Sequence, residues 1–312
     1  MQLVSSNYAG TGASQSIVGL GFTPIAVIIK GGNNIAQLCT NTMGADQTKP
    51  LTGSTALQTN RVTSLDSNGF TVGTDAQCNA SGTTYYYLAF GDDGAGDIAT
   101  SSYAGNNTDD HDITTVGFQP DLVIVASATT NAVMHSTSTM GADTTQGFDT
   151  ASFSNRIQAM LSNGFQVGTN ATVNSNLVTY YYLCLKAAAN RFSVLNYTGD
   201  SNDDRSVTGA GFQPDNAWTK RANGSTAPLR VADLVGDTSL FFDTTVAAAN
   251  LIQAFQADGF QLGNNLAVNG SATYNAVFFK ASGTSFDPST SWMWGQVGGA
   301  APVQTPVGVV TY

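Results

Sequence analysis

Hydrophobic residues occur along this chain in short runs that Gly, Asn, Asp and Pro interrupt, without a helical period. The runs "IAVIIK" (25–30) and "TYYYLAF" (84–90) are rich in β-branched and aromatic residues, which is typical of strands. Pro24 has no N–H for a ladder bond, so the first of these strands should begin just after it. About seven or eight such runs fall within about 95 residues, which predicts an all-β sandwich of jelly-roll or Ig-like kind.

The pattern returns three times. Phe70, Phe165 and Phe260 stand in three close copies of one motif, "SNGFTVGTDAQCN", "SNGFQVGTNATVN" and "ADGFQLGNNLAVN", and are 95 residues apart. Solenoid and propeller repeats run at roughly 20 to 50 residues, whereas about 95 residues suit a unit with its own core. We therefore predict three tandem β-sandwich domains with short linkers, arranged as a compact triad or a bent rod. The predicted ranges are residues 1–95, 96–190 and 191–282, followed by an extended C-terminal arm at 283–312.

Each copy of the motif predicts a tight hairpin. A strand leads to Asn68-Gly69 in the first copy and to Asp258-Gly259 in the third, and these dipeptides are typical of turns with positive φ. Phe70, on the second strand of the hairpin, should face a core.

Composition supports the all-β interpretation. All 21 acidic residues are Asp, because the chain has no Glu. Asp is a poor helix former, and the abundant Gly, Thr, Asn and Ser favour turns and strands. Apolar residues make up 42% of the chain, enough to build cores, while charged residues make up only 10%.

The charge balance argues against two classes of partner. Eleven Lys and Arg are scattered singly, and the net charge is −10. Nucleic acids and anionic membranes both require clustered basic residues, so neither is an expected partner. The first residues show no signal-peptide pattern, and no apolar run is long enough to span a bilayer. Assembly in the cytoplasm is the expectation.

The chain offers few residues for catalysis. Cys39, Cys78 and Cys184 fall at different repeat positions and are expected to be buried free thiols rather than a disulfide or zinc framework. His111 and His135 are the two histidines, interpreted as isolated surface residues. With no nucleophile motif and no visible carboxylate pair, we predict neither an enzyme nor a cofactor.

Two aligned loops, at 105–112 and 199–205, carry clustered aspartates whose oxygens are the ligands that Ca²⁺ prefers. The first repeat has "GTGASQS" at this place, and the spacing differs from that of a known calcium loop. Solvated acidic loops remain the alternative. The weak calcium candidates are Asp109, Asp110, Asp112, Asp203 and Asp204.

Beyond Ala281 the sequence leaves the repeat. The tail holds Trp292, Met293 and Trp294 and ends in an apolar run that includes Val309 and Tyr312. Two alternatives stay open for it. The tail packs back onto the third repeat, or it forms an arm that binds a neighbouring subunit with these five residues.

The ordered motifs of each repeat resemble a domain found in structural proteins of tailed bacteriophages. The order is Tyr-x-Gly, G-F-x-P-D, N-x-I, D-G-F-x-x-G, V-N and an aromatic closing strand, and it is clearest in the third repeat, at 211–221, 229–242 and 257–263. The first two repeats lack "LRVAD" and the Trp of "AWTK". The resemblance implies a virion location and no catalytic residues.

Within that resemblance the leading hypothesis is a capsid decoration or cement protein. Three similar units in one chain imitate a trimer, and capsid lattices have many local threefold positions; multivalency would strengthen binding to the major capsid protein. Other virion proteins and further copies of this chain are also expected partners. The alternatives are a carbohydrate-binding host-recognition module of a tail or head fibre, and a tail structural subunit.

Overall fold

The protein is all-β. The computed structural model describes residues 1–281 and two short paired strands, Val303–Gln304 and Val310–Thr311. Within the described residues the helices are three single turns of four residues each. Each repeat forms one larger antiparallel sheet and one three-stranded antiparallel sheet. The predicted class, three tandem β-sandwiches, is confirmed.

The first unit contains a five-stranded sheet of order β1-β8-β3-β4-β5 and a three-stranded sheet of order β2-β7-β6. A helical turn, α1, precedes the last strand. The elements are β1 (Gln2–Ala9), β2 (Gln15–Val18), β3 (Ala26–Gly31), β4 (Gln37–Thr40), β5 (Lys49–Pro50), β6 (Val62–Asp66), β7 (Gly69–Val72), α1 (Ala76–Asn79) and β8 (Thr84–Gly91).

The second and third units repeat this plan, and the second adds one short edge strand, β14. The second unit consists of β9 (Ile98–Ala104), β10 (His111–Ile113), β11 (Leu122–Ser127), β12 (Met134–Thr137), β13 (Thr145–Gly147), β14 (Ser152–Phe153), β15 (Ile157–Leu161), β16 (Gly164–Val167), α2 (Ala171–Asn174) and β17 (Thr179–Leu185). The third consists of β18 (Phe192–Thr198), β19 (Arg205–Thr208), β20 (Asn216–Arg221), β21 (Pro228–Val231), β22 (Leu240–Phe241), β23 (Ile252–Gln256), β24 (Gly259–Leu262), α3 (Leu266–Asn269) and β25 (Thr273–Phe279). The C-terminal pair is β26 (Val303–Gln304) and β27 (Val310–Thr311).

The strand pairing within each unit is nested. The first strand pairs with the last and the second with the last but one, as in β1 with β8 and β2 with β7. This nested pairing resembles a jelly roll more than an Ig sandwich. The consecutive pairing of β3, β4 and β5 in one sheet departs from it.

The repeated hairpin forms, but the predicted reason for its glycine is wrong in two units. Asp66 pairs with Gly69, so the turn residues lie one position earlier than predicted. Of the three glycines only Gly259 has positive φ, at +139°. A Cβ atom on Gly164 would lie 1.8 Å from the carbonyl oxygen of Ile113. Glycine is therefore required because the neighbouring strand's backbone approaches closely.

Each unit has an outer core between its two sheets, the cluster around Phe70, Phe165 or Phe260. All three phenylalanines are fully buried. A stacked tyrosine pair lies beside each, exemplified by Tyr8 and Tyr85 with ring centroids 5.3 Å apart. The motif that repeats in the sequence thus builds the inside of one unit.

A fourth core joins the three units, and we call it the shared core. It lies on the other face of the larger sheets, where Phe148 of the second unit contacts Trp218 and Phe242 of the third, and Phe90 of the first contacts Phe279. Its buried members are Met1, Leu3, Ala26, Ile28, Ala36, Leu38, Met43, Leu51, Leu88, Phe90, Ile98, Leu122, Ile124, Ala126, Val133, Phe148, Leu183, Leu185, Phe192, Trp218, Ala227, Leu229, Val231, Leu240, Phe242, Val277 and Phe279.

Strand alternation explains how one sheet serves two cores. In β3, Val27 and Ile29 point into the outer core, while Ala26 and Ile28 point into the shared core. Side chains alternate faces along a strand, so an unbroken apolar run supplies both faces. The larger sheets are therefore covered on both sides, and the three units form the compact triad rather than the bent rod.

Candidate functional site

The contacts between units, which we call seams, repeat around the molecule. At each seam the first strand of one unit meets the segment after the fourth strand of the preceding unit. Asn7 of β1 donates to Asp233 (2.8 Å), and Thr100 of β9 donates to Asn41 (2.7 Å). Asn196 of β18 donates to the carbonyl of Thr139 at the seam between the second and third units. The first unit thus meets the second, the second the third and the third the first, so the units close into a pseudo-threefold ring.

One backbone hydrogen bond also crosses each seam. The amide of Leu57 donates to Ala128 between the first and second units, at 3.4 Å. The amide of Ser152 donates to Ala222 between the second and third, at 2.8 Å. The amide of Ala36 donates to Phe242, also at 2.8 Å, and closes the ring between the third unit and the first. These three amides report on the three seams separately.

Each seam contains one buried lysine, and this was not predicted from the sequence. Lys30 donates to the carbonyl oxygens of Asn34 and, across the seam, Asp243. Lys49 donates across the seam between the first and second units to Ser127 (2.8 Å) and Thr129 (2.7 Å), and also to Thr55 in its own unit.

Lys220 serves the seam between the second and third units. Its ammonium group donates to Gly224 of its own unit, and the charge of Asp149 in the second unit acts on it. It is fully buried, as is Lys49.

The lysines reach the seams from two different repeat positions. Lys30 and Lys220 are equivalent on β3 and β20, where β11 has Ala126. Lys49 is on β5, and Gln146 and Leu240 are its equivalents on β13 and β22. At the seam between the first and second units, Ala126 stands where the other seams have Lys30 or Lys220. Lys49 on β5 supplies the cation there instead.

Burial sets the protonation of these lysines. Desolvation lowers the pKa of Lys30, Lys49 and Lys220 to about 8 in each case, and the charge of Asp243 partly offsets this at Lys30. The ammonium groups are bound mainly by backbone carbonyls, which are neutral acceptors. Lys30 and Lys49 thereby connect loops of neighbouring units. All three lysines are buried, so their ammonium groups do not contact a substrate in solution.

One signal in the sequence could have revealed the seams. The run "IAVIIK" is apolar on both strand faces and ends in Lys30. A free-standing sandwich leaves the outer face of its sheet polar, whereas a strand that is apolar throughout is covered on both faces. The run therefore indicated a second buried face, and a lysine at its end indicated the border of that face.

His135 is not the surface residue that the sequence analysis predicted. Its side chain is fully buried and its ring stacks on Phe148 with centroids 4.6 Å apart. Desolvation, and next the charge of Lys220, lower the pKa of His135 to about 3. Both ring nitrogens lack a hydrogen-bond partner among the described residues. Leu38 and Leu229 hold the equivalent positions, so the histidine replaces a core leucine.

His111 is half-buried, and its Nδ1 lies 3.2 Å from Oδ1 of Asn174. The cysteines are free and buried, as predicted. Desolvation raises the pKa of Cys39 to about 12 and that of Cys184 well above its usual range. These thiols stay protonated and are poor nucleophiles.

A cavity of about 20 Å³ lies between the first and third units. Its lining includes Ile28, Lys30, Trp218 and Leu229. A space of this size holds about one water molecule, so it is too small for an organic substrate.

The aspartate loops predicted as weak calcium candidates are bound to the fold through their side chains. Asp109 and Asp203 each accept a bond from an equivalent glutamine, Gln158 at 3.0 Å and Gln253 at 3.1 Å. Asp112 accepts from Gln166. Asp110 and Asp204 have positive φ, at 55° and 56°. Within the described residues no group of three or more His, Cys, Asp or Glu could hold a metal ion.

A buried asparagine, repeated three times, anchors the same loops. The side chain of Asn174 donates to Thr108 (2.8 Å) and accepts from the amide of Asn106 (2.9 Å). Asn79 and Asn269 bind the corresponding loops in the same way. The sequence motif that ends in Val-Asn or Cys-Asn therefore positions a loop.

The predicted arm residues Trp292, Met293, Trp294, Val309 and Tyr312 lie outside the described residues. In the part of the chain that the structure describes, no helix is long and apolar enough to cross a membrane.

Comparison with known proteins identifies similarity in one part of the chain. A family model for a domain of unknown function, DUF7483, matches residues 187–308, which include the third unit and most of the C-terminal segment. The match covers less than half of the chain. No curated protein and no solved structure matches it.

Proposed function

We propose that this protein is a non-enzymatic structural component of a virus particle and that it binds the head lattice as a decoration or cement protein. The observation that carries the proposal is the closed ring of three similar, non-identical units around a shared core. Such a ring presents three related faces about one axis, which matches the symmetry of a local threefold position. Three weak contacts made together give the avidity that a cement protein needs.

The differences between the units fit the same role. Neighbouring capsid subunits around a local threefold position differ slightly in conformation. A chain with three diverged units can meet three slightly different neighbours, whereas a homotrimer offers three identical surfaces. The resemblance of the repeats to phage structural proteins supports a virion location.

The described surface favours this function over a carbohydrate-binding one. Sugar-binding sites commonly use exposed aromatic rings. In residues 1–281 the exposed large hydrophobic side chains are aliphatic: Val18, Leu177, Val235, Val246 and Leu266. The net charge of −10 and the neutral polar composition suit a protein displayed in water beside anionic cell envelopes.

The first test is the copy number in purified virions, measured by quantitative mass spectrometry against the major capsid protein. We expect hundreds of copies, in a fixed ratio to the lattice's threefold positions. A ratio that follows tail length would identify a tail subunit, and a handful of copies would identify a fibre or host-recognition part. Absence from virions would overturn the proposal.

We further propose that residues 282–312 anchor the ring to the particle. Removing them is expected to leave a folded ring, seen as an unchanged far-UV spectrum and cooperative melting. The truncated protein should bind purified capsids more weakly than the full chain. Loss of cooperative melting would instead return the segment to the core of the third unit.

A further inference from the structure

The seam between the second and third units differs from the other two in its buried polar groups. His135 and Gln146 of the second unit face this seam, where the others have leucine or lysine. Buried side-chain atoms without a hydrogen-bond partner among the described residues gather here, on His135, Gln146, Arg221 and Asn275. Buried polar groups normally have hydrogen-bond partners. Among the described residues, this seam therefore has more buried polar atoms without such a partner than either of the other two.

Burial, and next the charge of Lys220, lower the pKa of the His135 imidazole and outweigh the backbone of Gln146, which favours the protonated form. On its own sheet it lies between Ile124 and Gln146, and its ring stacks on Phe148. Across the seam the charged group that acts on it is the Lys220 ammonium. A protonated imidazole would therefore face a second cation without access to water.

The nearest acids do not change this. Asp149 and Asp243 act on Lys220 rather than on His135. Asp149 accepts a bond from the amide of Gly53 at 2.7 Å, and Asp243 accepts one from the amide of Thr245 at 2.8 Å. Both carboxylates are thus already engaged by backbone amides.

We propose that the seam between the second and third units is an acid-sensitive joint, which loosens when His135 takes up a proton. The inference does not depend on the proposed function. It predicts that acid separates these two units before it unfolds either one. The other two seams carry leucine at the equivalent position and lack this response.

The direction follows from proton binding. The pKa of His135 is lowered to about 3 in the closed ring, and an exposed histidine has a pKa of about 6.5. Between these values the opened seam binds more protons than the closed one, so the closed seam loses stability as the pH falls from 6.5 towards 3. At pH 4.5 the opening equilibrium should be about a hundredfold more favourable than at pH 8.

Hydrogen exchange of the full chain tests this at the three seam amides. In the wild-type protein, protection of the Ser152 amide, corrected for intrinsic exchange, should fall by up to about a hundredfold between pH 8 and pH 4.5. Protection of the Ala36 and Leu57 amides should change far less. Equal protection of Ser152 at the two pH values would overturn the proposal.

Two variants separate the histidine from general acid effects. His135→Leu restores the residue found in the other units, and its Ser152 protection should not depend on pH. Leu229→His places a histidine beside Lys30, since both line the cavity of the seam between the third and first units. Acid should then act on the Ala36 amide. If His135→Leu loses protection as the wild type does, the proposal is wrong.

A direct titration covers the case in which the variants fold poorly. The chain has only two histidines, so the ring proton of His135 can be followed by NMR. It should remain in the neutral state well below pH 6 while the ring is closed. A titration midpoint near 6.5 in the folded protein would contradict the proposal.

Discussion

The outer cores and the shared core differ in how their residues repeat. In the outer cores one position is Phe in all three units, and each Phe is fully buried. In the shared core the position after the fifth strand is Leu51 in the first unit and Phe148 in the second, and the position of His135 is leucine elsewhere. The motif phenylalanine therefore repeats inside every unit, whereas these two positions, which face a neighbouring unit, differ between units.

The largest losses of stability should come from removing one buried aromatic ring from the shared core or from an outer core. Phe148→Ala and Phe165→Ala each remove a fully buried ring and should each lower the free energy of unfolding by about 3 to 5 kcal/mol. Hydrogen exchange should distinguish them. Phe148→Ala should lower protection at amides of all three seams, whereas Phe165→Ala should act first within the second unit. Identical patterns would mean that the shared core is not a separate structure.

A smaller effect is expected from the hairpin glycine of an outer core. A Cβ at Gly164 would overlap the carbonyl oxygen of Ile113, so Gly164→Ala should destabilise the protein by about 1 to 3 kcal/mol. Gly141→Ala is the matched control, because its Cβ would have its nearest neighbour at 3.5 Å. Thermal melting of both variants measures the difference. Equal melting temperatures would refute the close approach.

The seam lysines should make the stability of the shared core depend on pH. Lys49→Met leaves three buried or partly buried carbonyl oxygens without this donor and should cost about 2 kcal/mol at pH 7. The pKa of Lys49 is lowered to about 8, so above pH 8 the unfolded chain binds more protons and the wild type gains stability relative to the variant. The difference in unfolding free energy, measured with urea, should widen from pH 8 to pH 10.

Leu240→Met is the control for that experiment. It changes the equivalent, apolar position of the third unit and should cost less than about 1.5 kcal/mol. Its difference from the wild type should not depend on pH. A widening gap in this variant would assign the effect to the methionine rather than to the lost ammonium group.

The smallest effect concerns a turn in which one unit departs from another. Leu177 has φ +61° and is 84% exposed, and the equivalent turn residue of the first unit is Gly82 with φ +76°. A left-handed conformation costs a non-glycine residue about 1 to 2 kcal/mol. Glycine avoids this strain, but it loses more conformational entropy on folding, which cancels part of the gain. Leu177→Gly should therefore raise stability by about 0.5 kcal/mol, seen as a slightly higher melting temperature. A lower melting temperature would show that Leu177 makes contacts that compensate for the strain.

Local pattern was sufficient for the strands, the hairpins and the buried thiols. The period of two in "GFTV" placed Phe70 in a core because neighbouring residues alone decide which face it occupies. The turn was assigned one residue too late, because the requirement for Gly69 comes from β2, which is distant in sequence.

The candidate site depended on contacts between units and was missed for that reason. Lys49 and Ser127 are 78 residues apart, and nothing near either one indicates the other. His135 was assigned to the surface because a lone polar residue usually lies there. The calcium loops and the C-terminal arm stay predictions.

Local sequence patterns predict the class of this protein and the inside of each unit: strands from β-branched runs, three units from a 95-residue period, and outer cores from repeated aromatics. These features follow from local propensity and from residues that every unit carries. Contacts between distant parts of the chain set the ring, the shared core, the positions of the three seam lysines and the burial of His135. Those depend on which non-equivalent side chains meet across seams, and packing over long sequence separations is specified by shape and desolvation rather than by any local pattern.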